Sequence, residues 1–100
     1  MDTTLLARTA GDLDRLLQHY AKSDAEVGGL LRALEELLHD AQNGNVAVPV
    51  EWRDIPGDRA FSEGGLRKYS DLESAYASFK IEATGGETAV LSALRAKRGP

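Results

Sequence analysis

A regular run of apolar side chains between residues 27 and 41 constrains the fold of this chain more than any other feature. The run recurs at the i, i+3, i+4, i+7 spacing of one helical face, at Val27, Leu30, Leu31, Leu34, Leu37, Leu38 and Ala41. Ser23-Asp24-Ala25-Glu26 has the spacing of a capping box before it, and Asn43-Gly44 supplies a stop after it. The pattern predicts an amphipathic α-helix over residues 24–43 with one face buried.

Other apolar periods predict three more helices. The first covers residues 4–21, and its very short connection to the next helix predicts an antiparallel N-terminal hairpin. The others cover residues 71–84, after a second capping-box spacing at Ser70-Asp71-Leu72-Glu73, and residues 87–97. We therefore expect one all-α, four-helix domain over residues 1–100.

Residues 44–70 lack a helical period and are interrupted by proline and glycine, so we expect a long irregular aromatic loop between the second and third helices. Its valines alternate in a way that fits an extended segment, a short strand or a small hairpin. Gly28 and Gly29, in contrast, lie inside a predicted helix, where each costs about 1 kcal/mol relative to alanine. Close approach of another backbone, or fraying of the first turn, are the two explanations.

Composition limits the classes of function. The chain has no cysteine, which excludes disulfides, thiolate zinc sites and a cysteine nucleophile. It shows no apolar run of the roughly eighteen residues that a membrane span needs and no leader pattern, so we expect a cytoplasmic protein without membrane contact. Residues 1–43 hold eight acids against four bases and carry the whole net charge of −4. Such an acidic half favours a basic protein partner, and the alternative is that the acids only solvate helix surfaces.

No motif in the sequence assembles a catalytic or cofactor site. Glu36 and His39 have the Glu-x-x-His spacing of carboxylate metal sites, but there is one copy only, and both residues lie about 140–200° from the apolar stripe. Ser62 lacks the glycine two positions before it that a nucleophile elbow requires. We therefore expect no enzyme, no cofactor and no metal.

The loop mixes aromatic residues with arginines, as nucleic-acid surfaces do. Its four acids balance its four bases, so it lacks the positive charge that phosphate binding needs, and we expect no nucleic-acid partner. Trp52, Arg53 and Phe61 are instead of the types that anchor protein interfaces. The alternative is that Trp52 and Phe61 are core residues and that the arginines pair with Asp54, Asp58 and Glu63.

The run Phe61-Ser62-Glu63-Gly64-Gly65-Leu66-Arg67, followed by Asp71-Leu72-Glu73 and Tyr76, resembles the small all-α immunity proteins of bacterial secreted toxin systems. The resemblance covers about a fifth of the chain. It implies a cytoplasmic inhibitor that binds a toxin domain, often through an acidic surface against a basic cleft. It assigns no binding residue.

The sequence predicts a non-enzymatic protein-binding module of immunity type. Its predicted contacts are acidic positions of the first two helices and loop anchors, namely Asp12, Glu35, Glu36, Asp40, Trp52, Arg53 and Phe61. The alternative from another class is a structural subunit that forms a homodimer through its leucine-rich second helix.

Overall fold

A computed structural model describes residues 3–46 and 48–85, and all regular secondary structure in those two ranges is helical. The elements are α1 (Thr3–Ala21), α2 (Ala25–Gln42), α3 (Asp58–Ser62) and α4 (Ser70–Ala83), with 3₁₀ turns at Trp52–Asp54 and Gly65–Lys68. The predicted all-α class is confirmed. The helix predicted over residues 87–97 lies outside the described residues.

Helix α1 contacts both α2 and α4 and thereby organises the core. Leu13 and Leu17 of α1 and Leu34 of α2 have no exposed surface, which corresponds to about 1.5–3 kcal/mol of burial free energy for each side chain. The segment between α2 and α4 adds Ile55, Phe61 and Leu66 to the same core. A single apolar core therefore joins the three long helices to that segment.

The ends of the long helices lie within about one residue of their predicted positions, but the capping differs. Asp24, rather than Ser23, is the N-cap of α2, because its carboxylate accepts hydrogen bonds from the backbone N–H groups of Glu26 and Val27. Asn43 ends α2, and Gly44 adopts the left-handed conformation (φ 73°) that such a stop requires. Helix α4 begins at Ser70 without a side-chain cap, so the second predicted capping box is wrong.

The segment predicted as irregular over residues 44–70 contains α3 and both 3₁₀ turns. Its described part forms no strand: Val48 is exposed, Val50 is half-buried, and the amide of Val50 donates to Ala83 O of α4 at 2.8 Å. Helices of one or two turns are too short to show an apolar period, which is why the sequence did not reveal them.

Gly28 and Gly29 do not support a close backbone approach. A Cβ added to Gly28 would lie 4.0 Å from the Cβ of Ala21, which is ordinary contact, and one added to Gly29 would meet no atom of the described residues within 4 Å. Of the two explanations, close approach is therefore wrong for this pair. Gly57 is different, since it has φ 122° and an added Cβ would lie 2.8 Å from the ring of Tyr76.

We predict that Gly29→Ala stabilises the protein by about 0.5–1 kcal/mol, because alanine lowers the entropy cost of forming α2 and the site has open space. Urea unfolding followed by circular dichroism measures the change. The control is Gly57→Ala, which should destabilise by about 1–3 kcal/mol through backbone strain and the clash with Tyr76. Destabilisation by Gly29→Ala would contradict the described packing of α2.

Candidate protein-binding groove

A shallow groove of about 260 Å³ runs between the outer face of α2 and the segment that follows it. Ala33 and Leu37 of α2 and Val50 and Pro56 of the segment supply its apolar lining. Three carboxylates, those of Glu36, Asp40 and Asp54, stand around this lining. We call this set of seven residues the acidic groove.

The three carboxylates of the acidic groove have no cationic partner within the described ranges. The ion pairs seen there join Arg15 to Asp12, Lys68 to Asp24 and Lys80 to Asp58. Glu36 and Asp54 are exposed and Asp40 is half-buried, so all three are within reach of a ligand. Asp40 also lies in the last turn of α2, at the negative end of the helix dipole. The carboxylate charges and the dipole therefore add to a negative local potential.

A second groove, of about 380 Å³, adjoins the acidic groove and shares Ala33 and Pro56 with it. Its charges are mixed, with Arg53 and Arg59 beside Glu26 and Asp58. The charged residues of the acidic groove are therefore all acids, whereas its neighbour carries both signs of charge. An arginine at the edge of such a groove can pair with an acid of a partner and help to set its orientation.

The structure brings together three of the seven predicted contact residues. Glu36 and Asp40 line the acidic groove, and Arg53 lines its neighbour. Trp52 precedes Arg53 in a 3₁₀ turn, and only its backbone is described. Asp54 was not among the predicted contacts, since only the tertiary fold places it opposite α2.

The other predicted contacts do not join this site. Glu35 lies on the opposite flank of α2, in a groove of about 310 Å³ between α1 and α2 that His39 also lines. Asp12 is on α1 and pairs with Arg15 at 2.7 Å. Phe61 is 7% exposed and its ring stacks on that of Tyr76 at a centroid distance of 4.7 Å, so it is a core residue, and the prediction of an exposed anchor is wrong.

The Glu-x-x-His pair is divided between these two grooves. Glu36 lines the acidic groove, while His39 lines the groove between α1 and α2, and both residues are exposed, as the helical angles predicted. Within residues 3–46 and 48–85, no three His, Asp or Glu side chains are arranged to hold a metal ion.

Two tyrosines join the turn between α1 and α2 to the start of α4. The hydroxyl of Tyr69 donates to Asp24 Oδ2 at 2.7 Å, and that of Tyr20 donates to both Asp71 oxygens at 2.9 Å. The two rings stack at a centroid distance of 4.2 Å. Lys68 Nζ lies 3.6 Å from Asp24 Oδ2. We call Tyr20, Asp24, Lys68, Tyr69 and Asp71 the tyrosine–aspartate cluster.

The hydrogen bonds of this cluster shift the pKa values of its members. The bond from Tyr69 is the main reason why the pKa of the Asp24 carboxyl is lowered, with smaller contributions from two backbone N–H groups and Lys68. The bonds to carboxylates raise the pKa of the Tyr20 and Tyr69 hydroxyls, which stay protonated donors at neutral pH. The cluster is thus a structural link with defined charge states.

The glycines of the run from Phe61 to Arg67 have a structural role. The amide of Gly65 donates to Glu26 Oε1 at 2.8 Å. A Cβ on Gly64 would lie 2.6 Å from Glu26 Oε2 and 2.8 Å from Ala60 O, so no larger residue fits there. Asp71 and Tyr76 also form hydrogen bonds within the chain. Contacts inside the protein therefore account for the conformation of this run.

Comparison with known proteins found no matching family model, no matching curated protein and no matching solved structure. In the described part of the chain, no helix has the combined length and hydropathy that a bilayer span requires.

We predict that the stabilising effect of the Tyr69 hydroxyl depends on pH. Because the pKa of Asp24 is lower in the folded protein, its contribution to stability is present above the unfolded pKa of about 3.9 and is lost as pH falls through the folded pKa. Tyr69→Phe should therefore reduce the free energy of unfolding at pH 7 and have a smaller effect at a pH below the folded pKa of Asp24, where its carboxyl is protonated.

Urea unfolding at the two pH values measures this difference. The control is Thr9→Val, which removes a hydroxyl that donates to the uncharged Leu6 carbonyl at 3.0 Å. Its effect should not change with pH. An equal effect of Tyr69→Phe at both pH values would show that Asp24 does not titrate with the cluster.

Proposed function

We propose that this protein is a non-enzymatic inhibitor of immunity type, which binds a basic toxin domain through the acidic groove. The observation that carries the proposal is the presence of three carboxylates around an accessible apolar lining, none of which has a cationic partner within residues 3–46 and 48–85. The described residues also offer no convergent metal-ligand set. A module of this kind acts by occupying a surface of its partner.

Charge and apolar area have separate roles in such an interface. The carboxylates of Glu36, Asp40 and Asp54 attract lysine and arginine side chains, which accelerates association and selects a basic partner. The apolar atoms of Leu37, Val50 and Pro56 are covered on binding, and removal of water from this lining strengthens the ion pairs around it.

The finer architecture and the location belong to the same proposal. Helices α1 and α2 form an antiparallel hairpin, supported by the short connection between Ala21 and Ala25 and by the bond from Gln42 Nε2 to Asp14 Oδ2 at 3.4 Å. The hairpin presents the outer face of α2, and the long segment after it supplies the opposite wall. The protein acts in the bacterial cytoplasm, where it meets a toxin before harm is done.

Self-association through the leucines of α2 has less support. Leu30, Leu34 and Leu38 are at most 6% exposed and pack within the chain's own core, so a second copy would have to use another surface. A homodimer is the result that analytical ultracentrifugation would show if this assignment were wrong.

We predict that Glu36→Lys with Asp40→Lys weakens partner binding at least tenfold, since it replaces two attractive charges by two repulsive ones. The partner to test is any large secreted protein encoded beside this gene, through its isolated C-terminal domain. Isothermal titration calorimetry gives the affinity, and growth of cells that produce both proteins gives the protection.

The matched control is Glu63→Lys with Glu73→Lys, which changes the net charge equally at exposed positions outside the acidic groove. It should keep most of the affinity. Equal losses of affinity in the two double variants would show that net charge, and not the acidic groove, determines binding. Absence of protection by the unchanged protein would overturn the proposed function.

A further inference from the structure

One face of α4 holds the segment that forms the wall of the acidic groove. Tyr76, Lys80 and Ala83 follow the i, i+4, i+7 spacing of a single helical face. The Tyr76 hydroxyl donates to Pro56 O at 2.9 Å, Lys80 Nζ forms an ion pair with Asp58 Oδ1, and Ala83 O accepts the amide of Val50. The segment is therefore fixed at successive points along α4.

The most unusual member of this face is Lys80, whose side chain is almost fully buried. It is 1% exposed, whereas the carboxylate of Asp58 reaches it from a side chain that is 59% exposed. Its ammonium also lies 5.7 Å from the centroid of the Tyr76 ring, within the range of a cation–π contact. A buried ammonium is costly unless it is paired, so the fold favours the conformation that brings Asp58 to it.

Gly57 allows the segment to approach Tyr76 so closely. Its φ is 122°, and a Cβ added to it would lie only 2.8 Å from the Tyr76 ring, so the position has room for glycine alone. Burial raises the pKa of the Tyr76 hydroxyl, with a further contribution from Asp58, so it remains a donor to Pro56 at neutral pH. The conformation of residues 56–58 is therefore set by α4.

We propose that Tyr76 and Lys80 are positioning residues for the acidic groove: they fix Asp54 and Pro56 opposite α2 and so determine partner affinity without touching the partner. Neither residue lines the acidic groove or the second groove, which adjoins it. Pro56 lines both and is bonded directly to Tyr76. The role in affinity rests on the proposed function, whereas the fixing of the segment does not.

Hydrogen–deuterium exchange of the free protein tests the fixing of the segment. We expect Tyr76→Phe to accelerate exchange of the amides of residues 53–61 by about threefold to tenfold, the range that loss of one ordinary hydrogen bond produces. Lys80→Met, which removes an ion pair, should accelerate it at least as much, while α1 and the first half of α2 change little. Tyr76→Phe keeps the ring, and it supplies the result by itself where Lys80→Met does not fold.

The matched control is Tyr69→Phe, which removes a tyrosine hydroxyl bonded at 2.7 Å to Asp24, outside both grooves along α2. It should leave exchange at residues 53–61 unchanged. Unchanged exchange in Tyr76→Phe, or acceleration spread evenly over α1 and α2, would overturn the fixing of the segment by α4.

Calorimetry with the same C-terminal domain then tests the effect on affinity. Tyr76→Phe, which alters no charge, should weaken binding about threefold to tenfold, and Tyr69→Phe should not. Full affinity in Tyr76→Phe, with binding still lost in the Glu36→Lys, Asp40→Lys variant, would overturn the positioning role alone. No binding by the unchanged protein would overturn the proposed function and leave the exchange result standing.

Discussion

The packing of α1 against both α2 and α4 is the constraint on which the rest of the structure depends. One helix packs against two others, and its buried stripe consists of the small Ala10 together with Leu6, Leu13 and Leu17. The segment between α2 and α4 completes the core with Ile55, Phe61 and Leu66. One consequence is that this segment must lie along α2, and the acidic groove is the space left between their surfaces.

The three long helices could be predicted from the sequence because apolar period and local stop signals determine them. The same reasoning could not give the path of residues 44–69, since that path depends on contacts far apart in sequence, such as Tyr76 with Pro56 and Lys80 with Asp58. The burial of Lys80 could not be predicted either, because a lysine on a helix is ordinarily expected to face solvent. The signal for it is its place between Tyr76 and Ala83 on the buried face of α4.

The candidate site was predictable in kind but only partly in membership. The excess of acids in the first two helices predicted an acidic contact surface there, and α2 supplies Glu36 and Asp40 to the acidic groove. Adjacent residues on a helix, however, point about 100° apart, so Glu35 and Glu36 lie on opposite flanks. One of the two alternatives for the loop paired Asp54 with an arginine, yet in the described residues Asp54 forms no ion pair and faces α2 instead.

The carboxylates of the acidic groove lower the stability of the fold. This cost in stability is the strongest physical argument for a binding role. An acid near a helix C-terminus opposes the dipole by roughly 0.3–1 kcal/mol, and Asp40 is in the last turn of α2. Glu36 and Asp54 add like charges around the same apolar lining. Elsewhere in the described chain, Asp24 and Asp58 show that this fold can give its acids cationic partners. Residues that oppose local stability without compensation are characteristic of functional surfaces. The carboxylates of the acidic groove form no ion pair with any residue that the structure describes, and a basic partner would supply that compensation.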